Sequence, residues 1–309
     1  MTEGNEVPIG ALRADGTEKP EATVMREVAK WAKAAGPQLK NPKSPIVALV
    51  TSQAVQFSVI GDLQIEAQRR AVRALSYYCR TPGYMIAENQ ISKLGAPKLV
   101  ILPSPQALQE ATWQKLLAYV EGGGSLLITG PVSRDEHWHR VDRMSALHVP
   151  AEIEPVTYRN AELALNGRST SLNFNLTAQS WLEALRFRDS ETFQQVPRGK
   201  GRIFWAAYPV ELAENVEATA NLYSYVLGQL RIEPAFDLKS KLSPGVLIHA
   251  TDLQDAILYV MESESAEPAD IAVRDHATGK EFALRLGSQR AALALIRKSD
   301  GTITARYGF

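Results

Sequence analysis

The chain has 309 residues, and its 34 basic and 34 acidic side chains leave no net charge at pH 7. This length favours two domains, and the 45% hydrophobic and 22% charged residues are typical of a globular protein. Balanced charge without a run of one sign argues against nucleic acid or an anionic membrane as a partner.

Further classes are excluded by residues that are scarce or absent. The one cysteine, Cys79, cannot form a disulfide within the chain. No apolar stretch approaches the roughly 20 residues of a membrane-spanning helix. A basic segment followed by an apolar core, the pattern of a signal peptide, is not found at the start. A cytoplasmic location is therefore the default expectation.

The first forty residues predict one strand, one loop and one helix. An apolar patch at 7–12 precedes a loop that contains Asp15-Gly16 and ends at Pro20. Thr17 is the expected N-cap of the next helix, which should end at Gly36-Pro37. Such a segment cannot close a core of its own. We interpret it as the last βα unit of a larger body.

From residue 46 onward, apolar runs alternate with helical patterns. The predicted elements are strand 46–50, helix 62–78, strand 84–87, strand 99–102, helix 108–120, strand 126–128, strand 201–207 and helix 216–230. Strands that are apolar throughout are typical of a sheet buried on both faces. This order predicts an α/β fold with a doubly wound, mainly parallel sheet. Between residues 149 and 195 we expect a strand near 152–158 and a short helix near 178–185.

The last seventy residues change to a period of two, which indicates strands with one buried face. Six strands are predicted, at 246–250, 256–261, 270–274, 281–286, 291–296 and 302–306. The Asp300-Gly301 pair between the last two is a strong hairpin signal. Short strands at this spacing predict a small antiparallel β-sandwich.

Residues 8–21, Pro-Ile-Gly-Ala-Leu-Arg-Ala-Asp-Gly-Thr-Glu-Lys-Pro-Glu, are similar to the last βα loop of retaining glycoside hydrolase barrels. In those barrels a pair like Lys19-Pro20 opens the final helix. The following segment resembles the trimerisation domain of glycoside hydrolase family 42 β-galactosidases, which itself resembles flavodoxin-like, class I glutamine amidotransferases. The resemblance implies a barrel remnant with a linker at 1–44, an amidotransferase-like α/β domain at 45–235 and a β-sandwich domain at 236–309.

The amidotransferase likeness does not extend to the chemistry. Those enzymes need a cysteine on a sharp strand-to-helix turn, activated by a histidine beside a glutamate. The equivalent turn should follow Leu126–Gly130, where no cysteine occurs, and Cys79 is expected to pack within a helix. Tyr208-Pro-Val-Glu211 stands roughly where a His-Pro-Glu would, with Tyr208 in place of the histidine. We therefore assign no catalytic residue to this chain.

Two other segments contain residue types that could bind a ligand. The histidines of His137-Trp138-His139 would diverge in a helix, and the run 134–140 is typical of a helix start, so we predict no metal site there. Trp138 is the candidate substrate-binding residue, since an aromatic ring can stack on a sugar. Gly122–Gly124 does not open a helix and so lacks the context of a phosphate loop. No cofactor is expected.

The function that fits these features is a non-catalytic, C-terminal part of a β-galactosidase-like glycoside hydrolase. It would serve oligomer assembly, with a trimer favoured, and cover the active site of a barrel absent from this chain. A head-to-tail ring of three copies is a closed homo-oligomer, and a carbohydrate is the further partner to test. Two alternatives stay open: a free-standing carbohydrate-binding protein using the loop Thr51–Gly61, or an uncharacterised hydrolase using Ser52, Ser104 or Ser133 with a histidine.

Overall fold

The computed structural model describes residues 10–13, 15–157, 160–176, 180–189, 191–239 and 241–308. They divide into two compact units. The α/β unit is the continuous stretch Ser44–Pro234, and the β unit combines residues 10–43 with residues 235–308. None of the helices within the described ranges is long and apolar enough to cross a bilayer.

The principal helices, in chain order, are α1 (Pro20–Ala35), α2 (Gln53–Gln56), α3 (Gly61–Arg73), α4 (Glu110–Glu121) and α5 (Val216–Gln229). The strands of the α/β unit are β1 (Val47–Thr51), β2 (Gly83–Ala87), β3 (Leu99–Leu102), β4 (Gln106–Ala107), β5 (Ser125–Thr129), β6 (Val132–Arg134), β7 (Ala151–Pro155), β8 (Asn160–Leu165), β9 (Arg168–Asn173), β10 (Glu183–Phe187), β11 (Phe193–Arg198) and β12 (Gly201–Ala206). Those of the β unit are β13 (Phe236–Leu238), β14 (Val246–Asp252), β15 (Ala256–Ser263), β16 (Ala269–Asp275), β17 (Glu281–Leu286), β18 (Ala291–Arg297) and β19 (Ile303–Tyr307).

The central sheet of the α/β unit has six strands in the order β11-β12-β5-β3-β1-β2. All neighbours are parallel except β11, which pairs with β12 in the antiparallel sense. Alternate residues of β1 face opposite apolar cores: Val47 and Leu49 lie with α3 and α5, whereas Ala48 and Val50 lie with α4. Helices thus cover both faces, which confirms the predicted mainly parallel α/β sheet.

The segment between β5 and β11 is irregular and contains most of the errors of prediction. Within it, β7 pairs with β10 and β8 forms a hairpin with β9, while β6 pairs with β4, which precedes β5 in the chain. The expected strand near 152–158 is β7, and its end at Tyr158 lies outside the described residues. The prediction of a helix at 178–185 is wrong for residues 183–185, because strand β10 begins at Glu183. Residues 178 and 179 lie outside the described part.

The β unit contains all six predicted strands and a seventh, β13. The three residues of β13 are too few to show an alternating pattern in the sequence. They form a four-stranded sheet, β14-β15-β18-β19, and a three-stranded sheet, β13-β16-β17. The Tyr259 ring of the first sheet packs edge-on against Phe236 and Phe282 of the second, with ring centroids 5.8 and 5.2 Å apart. Two antiparallel sheets therefore face each other across an aromatic core.

Helix α1 belongs to the β unit. Trp31 and Ala35 pack with Leu253, directly after β14, and with Leu295 of β18 and Ala305 of β19. The N-cap is Lys19, which makes no side-chain capping bond, and Pro20 occupies the first helical position. Thr17 as the cap is thus wrong, because its hydroxyl donates to Asp15 Oδ1 instead.

Candidate functional site

The five parallel strands of the central sheet end at one edge, which we call the carboxyl edge. β1, β2, β3, β5 and β12 end there at Thr51, Ala87, Leu102, Thr129 and Ala206. Open α/β sheets bind ligands in the crevice outside this edge. The side chains that follow these strand ends are accordingly the first place to look for chemistry.

A buried carboxyl group lies at the centre of the carboxyl edge. Glu211 has no solvent-exposed surface, and its carboxyl is within hydrogen-bond distance of three hydroxyl groups. Ser104 Oγ and Thr129 Oγ1 donate to Glu211 Oε2 at 2.8 and 2.5 Å, and Tyr223 OH donates to Glu211 Oε1 at 2.6 Å. We call these four residues the Glu211 network.

Ser104 takes an uncommon backbone conformation to reach this network. Its φ is +47°, in the left-handed region that non-glycine residues seldom adopt. Its backbone N–H donates to Thr129 Oγ1 at 2.8 Å, which leaves the Thr129 hydroxyl hydrogen to point at Glu211 or at the Leu102 carbonyl. A sharp turn therefore follows β3 at Ser104, and the chain also turns directly after β5, where Gly130 has a φ of +77°.

The electrostatics of the network favour a closed structural role. Burial raises the pKa of Glu211, while the hydroxyl donors act in the opposite direction. Burial and the neighbouring carboxyl raise the pKa of Tyr223 well above its ordinary value. Ser104 is only 4% exposed, and no hydrogen bond or ion pair within the described residues joins a histidine to it. The network has a serine and a carboxylate but lacks the base that would activate the serine.

The other two serine candidates also have structural partners. Ser52 Oγ donates to the Ala107 carbonyl at 2.6 Å and accepts the Val55 N–H at 3.2 Å, so it caps α2. Ser133 Oγ donates to Glu183 Oε2 at 2.6 Å. The structure brings only Ser104 into contact with the Tyr208–Glu211 motif, through Glu211.

Cys79 is buried, as its helical context predicts. Its Sγ lies 3.3 Å from Ser224 Oγ and 3.9 Å from the Ala220 carbonyl oxygen. Burial raises the pKa of the thiol, which disfavours the reactive thiolate form. The geometry therefore gives this cysteine no nucleophilic role.

Trp138 lies on a hairpin turn, and the expectation of a helix start at 134–140 is wrong. Arg134 and Arg140 form an antiparallel bridge, and Asp135 Oδ1 accepts the backbone N–H groups of His137 and His139 at 2.9 Å each. This Asp135 turn competes with helix formation. It also sets the histidine rings side by side, with centroids 6.0 Å apart. Nowhere in the described ranges do three or more His, Cys, Asp or Glu side chains form a group that could hold a metal ion.

The Trp138 ring is held in place from two sides. Its Nε1 donates to the Ala54 carbonyl at 3.2 Å, and the Arg134 guanidinium lies 5.7 Å from the ring centroid. The ring also packs with Val55 and Ile60 beside α2. Trp138 is consequently a fixed, half-buried residue close to the loop that follows β1.

That loop, Thr51–Gly61, exposes apolar side chains at the carboxyl edge. Val55 and Ile60 are buried and anchor it, whereas Phe57 and Val59 are 81% and 88% exposed. Large apolar side chains this exposed mark interaction surfaces when they lie together. The sequence pattern located the loop but not which of its residues face outward.

Glu88 is a second buried carboxylate that the sequence analysis missed. It directly follows β2, and its oxygens accept the backbone N–H groups of Gln53 at 2.6 Å and Gln109 at 2.7 Å. These groups open α2 and α4, so one side chain caps two helices. Burial raises the pKa of Glu88, and the backbone donors oppose this shift. The sequence signal that could have identified Glu88 is its position as a carboxylate directly after a predicted strand.

No family model matches this chain, and no curated protein matches it. Solved structures do match. The GH42 β-galactosidase Gan42B from G. stearothermophilus aligns with a TM-score of 0.64 and 17% identity over 93% of this chain and 46% of its own. The β-galactosidase from Bacillus circulans sp. alkalophilus gives a TM-score of 0.68 at 14% identity over 93% and 47%. That from Rahnella sp. R3 gives 0.65 at 14% over 93% and 46%.

The chain thus spans about half the length of the enzymes it matches. Identities of 14–17% establish a likeness of fold. The likeness covers nearly all of this chain, so it includes parts of both compact units. At the level of the fold, it confirms the expected resemblance of this chain to a part of the family 42 β-galactosidases.

Proposed function

We propose that this chain is a non-catalytic part of a β-galactosidase-like glycoside hydrolase. It serves assembly of a homo-oligomer, with a trimer favoured, and covers the active site of a barrel that the chain does not contain. In this proposal the α/β unit is the trimerisation domain, with a flavodoxin-like, amidotransferase-like fold. The strand order β2-β1-β3-β5-β12 of its parallel strands supports that fold, because flavodoxin-like sheets have the order 2-1-3-4-5.

The observation that carries the non-catalytic role is the closed carboxyl edge. Ser104, Thr129 and Tyr223 all direct their hydroxyl groups at Glu211, and all four side chains are buried. A catalytically active amidotransferase would need a reactive nucleophile and an open crevice at this place. Here the polar groups form hydrogen bonds with one another instead, which favours a structural role of these residues over a catalytic one.

Exposed apolar side chains beside the carboxyl edge support a role in assembly. Phe57 and Val59 project from a loop whose neighbours Val55 and Ile60 are buried and hold it in place. Burying two such side chains against another copy would gain roughly 1.5–3 kcal/mol each. Trp138 contacts the same loop, so an aromatic ring lies beside the proposed contact surface.

The oligomeric state is tested by light scattering after size exclusion. The expected result is a mass three times the 34.0 kDa of the chain. Phe57→Asp together with Val59→Asp should reduce it, because a charge at an apolar contact is costly to bury. Leu176→Asp, at another exposed apolar position, is the matched control and should leave the mass unchanged. A single-chain mass for the unmodified protein would contradict the proposal.

The sugar-stacking role of Trp138 is a separate part of this proposal. In an enzyme assembled from the barrel and this chain, Trp138→Ala should weaken the affinity for a galactoside. Trp181→Ala is the matched control, since Trp181 is also partly exposed in the α/β unit. Unchanged affinity in the Trp138 variant would remove the stacking role and leave the assembly role standing.

A further inference from the structure

Strand β17 forms one edge of the sheet β13-β16-β17 in the β unit. On its neighbour β16, the Asp275 N–H donates to the Lys280 carbonyl, just before β17. The Ala272 carbonyl of β16 instead accepts from the Lys239 N–H, just after β13. Because these directions alternate along an antiparallel strand, odd-numbered residues of β16 direct their backbone groups at β17 and even-numbered ones at β13.

β17 consequently has a row of backbone groups that its own sheet does not use. Phe282 lies opposite Val273, so its N–H and carbonyl groups are directed at β16. The backbone groups of Glu281, Ala283 and Arg285 point the other way, out from the edge, and these three residues are exposed. Within the described part of the chain, no hydrogen bond is made to these outward groups. Such a row is a template for one more strand.

Sheet edges usually carry a feature that prevents this pairing, such as a proline, a bulge, a lysine or a very short strand. Three other edge strands of this protein have one. β11 contains Pro197, β19 has a bulge against β18, and β13 has only three residues. β17 pairs with β16 over six residues without a bulge and contains neither proline nor lysine. The edge of β17 is therefore open to a further strand.

The charges on β17 favour a second copy of the same strand as its partner. Glu281 and Arg285 lie symmetrically on either side of Ala283, on the outer face of the sheet. If two copies pair antiparallel with Ala283 opposite Ala283, each Glu281 lies opposite Arg285 of the second copy. The same register sets Phe282 opposite Leu284 and joins all the outward backbone groups in hydrogen-bonded pairs. A slip of two residues would lose both ion pairs, and a slip of one would turn the apolar residues to the wrong face.

The apolar face of β17 would also gain from this pairing. Phe282 and Leu284 are each 8% exposed, whereas Val273 and Ile271, opposite them on β16, are 0% and 1% exposed. The apolar core of the β unit is thus less completely covered at this edge. A second copy would continue the core across the contact.

We propose that two copies of this chain associate through β17, antiparallel about a twofold axis at Ala283, so that two three-stranded sheets join into one. A contact of one short strand from each copy is small, and small interfaces are weak. We therefore expect it to form at high protein concentration. The contact lies in the β unit, whereas Phe57 and Val59 lie in the α/β unit. A threefold ring that also used the β17 contact would contain six copies.

The test is sedimentation of the full chain over a wide range of concentration. The mass found at low concentration should double at high concentration, whether that starting mass is one chain or three. The β17 contact is therefore tested independently of the assembly proposal. A mass that stays constant up to the solubility limit would overturn it.

Three variants test the strand and its register. Ala283→Lys should abolish the doubling, because it sets two like charges opposite each other on the twofold axis. Glu281→Lys and Arg285→Glu should each raise the dissociation constant by about fivefold or more, since both symmetric ion pairs become like-charge pairs. The two changes combined should restore association. Arg306→Glu, at an exposed position on the edge strand β19, is the matched control and should leave association unchanged.

Hydrogen exchange gives a second measurement. The outward amides of Glu281, Ala283 and Arg285 should exchange more slowly at high protein concentration, because association protects them. Circular dichroism and the unfolding midpoint should show that each variant is folded. The proposal is overturned if Ala283→Lys doubles in mass as the unmodified chain does, or if the combined charge reversal associates no better than the single changes.

Discussion

The Glu211 network allows a stability prediction that can be worked out from its contacts. Glu211→Ala removes the acceptor of three buried hydroxyl groups. Thr129 keeps an alternative acceptor, the Leu102 carbonyl at 3.3 Å, but Ser104 and Tyr223 lose theirs. Each unsatisfied buried group costs about 1–3 kcal/mol. Because the variant also removes the cost of burying a carboxyl group, we expect a net loss of about 2–4 kcal/mol in the free energy of unfolding.

The more conservative Glu211→Gln should cost only about 1 kcal/mol, because one oxygen still accepts a hydroxyl hydrogen. It should also change the pH dependence. Glu211 has a higher pKa in the folded chain than in the unfolded chain. The stability that this difference contributes is therefore fully present at pH values below the unfolded pKa. This contribution is lost as the pH rises through the folded pKa. The unmodified chain should therefore lose stability over that interval, relative to Glu211→Gln.

The assay is urea unfolding at several pH values, followed by tryptophan fluorescence. Trp113 and Trp205 are buried in the α/β unit and report on its unfolding. Glu233→Gln, at an exposed position in the same unit, is the matched control. The reasoning is refuted if Glu211→Ala costs less than about 1 kcal/mol, or if Glu211→Gln keeps the pH dependence of the unmodified chain.

Two other predictions concern the backbone and the helix caps. Gly201→Ala should destabilise the fold severely, since a Cβ there would lie 2.0 Å from the Gly124 carbonyl oxygen. Gly228→Ala in α5 should stabilise it by about 0.5–1 kcal/mol, because the added Cβ meets nothing within 4 Å. Thermal unfolding that shows equal or reversed signs for the two changes would contradict this prediction. Glu88→Gln should cost about 1–2 kcal/mol, because the amide can accept only one of the N–H groups of Gln53 and Gln109; unchanged urea unfolding would show that Glu88 does not cap both helices.

The strands of the central sheet could be predicted because burial on both faces leaves a continuous apolar run. Leu99–Leu102 is such a run, and all four residues are fully buried. The alternating residues of Glu281–Leu286 equally indicated a strand with one buried face. Patterns of this kind are local, so the sequence contains them whole.

The errors came where a long-range or side-chain contact overrides a local preference. The run 134–140 has helical composition, yet Asp135 draws the N–H groups of His137 and His139 into a turn. Glu183 begins a strand because β10 pairs with β7, which places Glu183 opposite Pro155. The Glu211 network could not be predicted either. Ser104 and Glu211 are distant in sequence, and only the parallel order of the strands brings them together.

The discontinuous β unit has a consequence for the order in which the protein is made. Trp31 and Ala35 of α1 leave the ribosome long before Leu253, Leu295 and Ala305, against which they pack. At about 5–20 residues per second, the delay until β19 emerges is roughly 15–50 s. The α/β unit is continuous and can fold during this interval. The apolar side of α1 must wait for its partner strands, so this helix is a segment that a chaperone could cover during synthesis.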